Sequence, residues 1–315
     1  MSLLRSIFST PGPSVGIEIA SDAVTAVGLA RSGSNAIVSS HATEPLPSGA
    51  VVPAVNEGNI KDPAAVAGAL RRALDQFPRR PRRAALVVPD AVAKVSIVKF
   101  EEVPTRSHDL DELVRWQVRK TAPFRIEDAQ VVHSRGLTDD AGATEFVVAL
   151  TRRSIIEEYE QVCTEAGVHA GVVDLSSFNL LNTVSSGDPV DGDWLLVHVA
   201  PESSTIAIMR GEQLILFRNR PAEAGAQLAD LVHQTSMYYE DRLSGTGFAR
   251  VFLVGASGGV GEAIRKGLEG RLGGSGESAD PRRVASLADR IDASPDLLDR
   301  LTAPIGVLVR EHAAS

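Results

Sequence analysis

Two matching segments, Val15–Leu29 and Leu195–Ile208, constrain this chain more than any other feature. They read V-G-I-E-I-A-S-D-A-V-T-A-V-G-L and L-L-V-H-V-A-P-E-S-S-T-I-A-I. Each is a buried-strand pattern, a turn of small residues and a second strand running back. After the first come a third candidate strand, Ala36–Ser40, and a helix. After the second, Gln213–Asn219 and the helical region Ala222–Leu243 repeat that order. This weak internal repeat implies two related α/β lobes facing one cleft.

The 315 residues suffice for about two domains with sizeable cores. Only 4% of them are aromatic, so stacking surfaces are scarce, and the net charge of −8 argues against nucleic-acid binding. The basic run Arg79-Arg80-Pro81-Arg82-Arg83 reads first as a solvated linker and second as a contact for anionic lipid or an acidic partner. The single cysteine, Cys163, excludes an internal disulfide and reads as a packing or inert residue, which suits a reducing compartment. The seven histidines, His41, His108, His133, His169, His198, His233 and His312, show no metal-ligand spacing. No apolar stretch approaches the roughly 20 residues of a membrane span. Met1–Thr10 is too short and weakly apolar for a signal peptide, and reads as a frayed terminus or a docking segment.

Asp62 is the expected N-cap of a helix opening on Pro63, with Val66, Ala69, Leu70 and Leu74 at helical spacing. From Arg83 a compact unit follows. It has strands Ala84–Val88 and Ala93–Phe100, an amphipathic helix Asp109–Thr121 and a hairpin of Val131–Leu137 with Glu145–Leu150. The helix face is expected to carry Leu110, Leu113, Val114, Gln117 and Val118. Ser154-Ile155-Ile156-Glu157 has the pattern of a capping box, and Gly167 that of a helix stop. Val168–Leu175 and Ser177–Val184 read as strand and helix. Val251–Val254 enters the turn Gly255-Ala256-Ser257-Gly258-Gly259, a helix follows over Gly261–Leu272, and Asp296–Glu311 closes the chain. The expected division is 1–12 as a terminal segment, 13–82 with 151–190 as lobe 1, 83–150 as an inserted module and 191–315 as lobe 2.

Several segments together resemble the PilM family, the actin-like, FtsA-like proteins of type IV pilus assembly. They are V-G-I-E-I-A-S-D-A-V-T-A-V, A-L-V-V-P-D-A-V-A-K-V-S-I-V-K-F, D-E-L-V-R-W-Q-V-R-K-T-A-P-F, L-I-L-F-R-N-R-P, M-Y-Y-E-D-R-L and A-P-I-G-V-L-V-R-E. The chain is also similar to the cytoplasmic part of the type II secretion L component. The resemblance runs from about Val15 to Glu311. It implies an α/β actin-like fold of repeated, ribonuclease H-like lobes with an inserted small α+β subdomain. It implies a place under the inner membrane and a partner, the cytoplasmic tail of a PilN-like membrane protein, docked between lobe 1 and the module. The surface implied involves Val88, Pro89, Asp90, Val95, Ile97 and Trp116. Other platform or motor components, and further copies of the chain, are additional partners the resemblance allows.

The same resemblance implies a cleft for ATP and Mg2+. There a glycine in each hairpin turn lets backbone N–H groups reach the phosphates, and a carboxylate in each holds the metal. Carried over residue by residue, the first turn is Glu18, Ala20, Ser21 and Asp22. The second is His198, Ala200, Glu202, Ser203 and Ser204, and the adenosine loop contains Gly255, Gly258 and Gly259. Ala20 and Ala200 stand where glycine is expected. Glu18 is one methylene longer than the aspartate, and His198 replaces the second acid. Neutral imidazole offers magnesium no anionic oxygen. The expected function is therefore a pilus-platform scaffold with a degenerate nucleotide site. An ATP-hydrolysing actin-like enzyme and an FtsA-like polymer former are the alternatives. Glu311–Ser315 ends in small residues, which counts against an FtsA-like membrane-tethering helix.

Overall fold

The computed structural model describes residues 12–32, 35–222, 225–256, 259–272, 276–289 and 291–313. Met1–Thr10, Gly258 and the first three residues of the Gly273–Asp280 stretch lie outside them. The strands are β1 (Val15–Ile19), β2 (Ala23–Ser32), β3 (Asn35–Pro45), β4 (Arg83–Val88), β5 (Ala93–Phe100), β6 (Ala129–Thr138), β7 (Thr144–Arg152), β8 (His169–Leu175), β9 (Asp193–Val199), β10 (Ser203–Arg210), β11 (Gln213–Pro221), β12 (Arg250–Val254) and β13 (Ser286–Leu287). The helices are α1 (Pro63–Asp75), α2 (Ser107–Arg119), α3 (Arg153–Glu165), α4 (Ser176–Gly187), α5 (Gly225–Arg242), α6 (Gly259–Leu272) and α7 (Pro295–Ala313).

The two hairpins seed two sheets of the same topology. One runs β13-β3-β2-β1-β4-β8 and the other β11-β10-β9-β12. In both, the hairpin strand nearest the cleft pairs in parallel with a later strand, β1 with β4 and β9 with β12. That return needs a crossover segment, which supplies the covering helices. The helix start at Asp62 is purely local. Its carboxylate accepts the Ala65 N–H at 2.9 Å, and Pro63 occupies the first turn. Gly167 ends α3 at φ +83°. The Ser154–Glu157 capping box does not form: α3 begins one residue earlier, with Arg152 at the cap and no side-chain cap bond.

Three expected assignments are corrected by tertiary contacts. β4 does not belong to the inserted module. It lies in the large sheet between β1 and β8, with Gly16 opposite Ala85. The module is a three-stranded sheet, β5-β7-β6, with α2 on one face. Val114 and Val118 are buried against Phe146, Val148 and Leu150, whereas Gln117 is exposed, so the true apolar stripe is narrower than expected. The closing helix returns to lobe 1 rather than completing lobe 2: α7 contacts α4, β1, β2 and β4, and β13 pairs with β3 at Ile37 and Val38. Leu301, Ile305 and Leu308 of α7 are fully buried. Each such side chain contributes roughly 1.5–3 kcal/mol, so this apolar face outweighs sequence proximity to lobe 2.

The remaining singletons are structural. Cys163 is buried against lobe 1's core and its thiol is pushed up to about 12 by burial. Tyr239 is buried, stacks on Phe248 at 4.7 Å and donates to Asp193 at 2.8 Å, while Tyr238 is exposed.

Candidate functional site

The cleft is built from a polar row across the second sheet. Strand register puts His198 opposite Thr205 and Thr205 opposite Asn219, so side chains from β9, β10 and β11 share one face. The Asn219 amide donates to Thr205 Oγ1 at 2.9 Å, and the Thr205 hydroxyl donates to Asp90 Oδ2 at 2.7 Å. Asp90 opens a 3-10 turn between β4 and β5 and is 2% exposed.

Asp90 also caps α4 from a distant part of the chain. Oδ1 accepts the Ser177 N–H at 2.9 Å, and the Ser177 hydroxyl donates to Oδ2. A carboxylate at a helix N-terminus is favoured by the unpaired N–H groups and the helix dipole. His198 Nδ1 lies 3.0 Å from Ser177 Oγ and 3.4 Å from Asp90 Oδ2. Because the serine proton is directed at Asp90, Nδ1 is the donor to both oxygens. Burial opposes a charge on either partner. The hydrogen bond and charge of Asp90, with the charges of Glu18 and Glu202, outweigh it and raise the His198 pKa above 6.5. Bonds from His198, Ser177 and Thr205 likewise hold Asp90 below 3.8 despite burial. Both shifts favour the protonated ring beside the ionised carboxylate.

Glu18 ends at the same helix terminus, accepting the Ser176 hydroxyl at 2.8 Å. Burial raises its pKa, which the Ser176 bond and the His198 charge offset only in part. The two hairpin turns are joined directly: Ser21 Oγ donates to Glu202 Oε2 at 2.6 Å. Helix α7 holds both the first turn and the glycine loop. Arg300 pairs with Asp22 at 3.0 Å, and the Asp299 carboxylate accepts the Gly255 N–H. Gly255 has φ +75°, and a Cβ there would sit 2.1 Å from the Val199 carbonyl oxygen. The strand-to-helix turn thus requires glycine at this position whether or not a nucleotide passes beneath it. Ser203 and Ser204 are buried at the start of β10, Ala256 is buried, and the Gly259 position opens α6.

A magnesium–triphosphate site needs hard anionic oxygens and free backbone N–H groups. Here the Ala20 N–H donates to the Ala23 carbonyl at 3.0 Å and the Ala200 N–H to the Ser203 carbonyl at 2.8 Å, so each is satisfied inside its own hairpin. The His198 imidazole occupies the position of the second acid and offers no anionic oxygen. Among the described residues no group of three or more His, Cys, Asp or Glu side chains is arranged to hold a metal ion. Neither of these two alanine N–H groups is left free for a phosphate oxygen.

A family model described as type IV pilus assembly protein PilM matches residues 16–242. The chain belongs to the PilM family. A structure described as a PilM–PilN type IV pilus biogenesis complex superposes with a TM-score of 0.81 at 17% identity, covering 96% of this chain and 99% of that one. The cytoplasmic domain of EpsL, an inner-membrane component of the Vibrio cholerae type II secretion system, gives 0.50 at 10% identity over 96% and 94%. A Bacteroides thetaiotaomicron protein described as having an actin-like ATPase fold and unknown function gives 0.48 at 10% identity over 86% and 91%. The fold is actin-like, and this PilM-family chain is a type IV pilus assembly protein. Among the described residues no helix is long and apolar enough to cross a membrane.

Besides the cleft, the PilM-family chain has a groove of about 1110 Å³ between lobe 1, the module and the edge of lobe 2. Its walls include Val147 and Ala149 of β7, Val173 of β8, Phe178 of α4, and Met209 and Leu214 of the second sheet. The structure corrects part of the partner surface expected from sequence. Asp90 and Pro89 are buried beside the cleft network, and Val88 touches the groove with 1% of its surface exposed. Val95 and Ile97 are half-buried and face the groove side of the module, opposite Ala149 and Val147. Trp116 is 63% exposed, but it sits on α2, which covers the other face of that sheet. The alternation of β7 decides this: Phe146, Val148 and Leu150 point to α2, and Val147, Ala149 and Thr151 to the groove. Sequence reasoning missed Ser176, Ser177, Thr205 and Asn219 as cleft residues. Their one local signal is hydroxyl and amide side chains set within otherwise apolar runs.

Proposed function

We propose that this chain is a cytoplasmic adaptor at the inner-membrane platform of a type IV pilus. It captures the cytoplasmic tail of a PilN-like membrane protein in the groove between lobe 1 and the module, and its cleft no longer serves magnesium ATP. The observation that carries the docking reading is the groove itself. Its lining combines Val147, Ala149, Val173 and Phe178 with Glu157, Glu160, Arg153 and Arg310, a set suited to an extended apolar segment with polar ends. A structural relative with the same architecture is described as a complex of PilM with PilN. Calorimetric titration of the full chain with the tail of the neighbouring PilN-like protein should give saturable one-to-one binding. Ala149→Arg, placed in the groove lining, should weaken it at least about tenfold, an ordinary effect for a charge left unpaired in a buried apolar contact. Absence of binding by correctly folded protein rejects the reading.

The cleft part of the proposal rests on the Ser21–Glu202 bond and the His198–Asp90 pair. Millimolar ATP with magnesium should leave the melting temperature where it was. A ligand at 100 times its Kd would stabilise by about 2.7 kcal/mol and be plainly visible. A rise of several degrees, together with phosphate release, would restore the ATPase reading.

A further inference from the structure

We infer that the cleft network sets the shape of the partner groove, so that Asp90, Thr205, Ser177 and the Ser21–Glu202 bond are positioning residues for partner capture. This rests on the docking reading above and goes beyond it, because none of these side chains lines the groove. Two observations carry it. First, the groove is not a feature of one lobe: Val173 and Phe178 come from lobe 1, Val147 and Ala149 from the module, and Met209 and Leu214 from lobe 2. Its width is therefore a function of how the lobes sit on each other. Second, the residues fixing that relation converge on Asp90. It binds Ser177 at the start of α4 in lobe 1 and Thr205 and His198 in lobe 2, and it stands in the turn that leads into the module. Val88 and Val92, two residues away on either side, line the groove.

Side chains that hold an interface in one arrangement bias every site that the interface shapes. Among the described residues the polar ties between the lobes include the Asp90 cluster and the Ser21 to Glu202 bond at 2.6 Å, beside an apolar cluster that joins Leu180 to Trp194 and Phe252. Loosening either admits states with a wider groove, and a tail that binds the closed form must then draw population back. By the same linkage a bound tail stabilises the tied cleft.

The test uses Thr205→Val, which keeps the shape and removes one bond to Asp90, and Ser21→Ala, which cuts the bond between the turns. Both should melt well above the assay temperature. Each should bind the PilN-like tail at least about fivefold more weakly than the parent chain, the low end of common coupling strengths. Saturating tail should slow hydrogen exchange at the hairpin turns Ala20–Asp22 and Ala200–Ser203 in the parent chain and much less in the variants. A merely structural role would not produce that reciprocal change. If the parent chain binds the tail and both variants match it within twofold, with no tail-induced protection at the turns, the coupling is wrong while the docking reading stands. If the parent chain itself does not bind, both fall.

Discussion

Gly306→Ala should destabilise this protein by at least about 3 kcal/mol, the upper part of the range for overpacking a core. Helix α7 crosses α4 at this glycine. A Cβ built there lies 2.0 Å from the Asn179 carbonyl oxygen and 2.7 Å from Thr183 Oγ1. The first obstacle is backbone, so no rotamer relieves it. The helices must separate, and Leu301, Ile305 and Leu308 lose their packing with them. Against a total stability of roughly 5–15 kcal/mol such a loss leaves a marginal fold. Gly68→Ala in α1 is the matched control. Its new methyl meets only the end of the Arg72 side chain at 3.6 Å, and the better helix propensity should stabilise by up to about 1 kcal/mol. Chemical denaturation of the two variants should move in opposite directions. Equal and small shifts would mean that the α4–α7 crossing is looser than described.

Asp90→Ala should cost about 3–5 kcal/mol, the ordinary effect of removing one partner of a buried ion pair. It removes the carboxylate partner of His198, unbinds Thr205 and leaves the start of α4 uncapped. The pH dependence checks the charge assignment. The His198 pKa is raised in the folded state, against burial, by the Asp90 hydrogen bond and charge and by Glu18 and Glu202. Its contribution is therefore complete below its ordinary 6.5 and fades as pH rises through the raised value. Asp90, held below 3.8, contributes above that ordinary value and loses its share as pH falls through the lowered one. Stability of the parent chain should decline as pH rises above 6.5 through the raised value, and His198→Phe should flatten that decline. An identical alkaline limb in the two proteins would show that the ring is neutral.

Much of this molecule was legible locally. The Asp62–Pro63 helix start and the Gly167 stop came from backbone chemistry within a few residues, and alternation placed most strands. The Gly255 turn was equally local, although its steric reason, the Val199 carbonyl, was not. The local signal failed at two places. The Ser154 capping box gave way to a helix starting at Arg153, and Asp90, in a segment read as partner surface, proved to be a buried cleft residue.

By itself the sequence determined the two-lobed repeat, because it follows from periodicity and turn chemistry; the alteration of both hairpin turns is what the family resemblance implies. Only the tertiary structure decided what the altered residues do. Asp90 meets Ser177 from 87 positions away and Thr205 from 115, and no local pattern encodes such a meeting. It arises when β4 inserts beside β1, α7 returns to lobe 1 and strand register aligns His198 with Thr205. Burial then sets the chemistry: Asp90, almost wholly out of water, meets His198 and Thr205 of the other lobe and ties the lobes together.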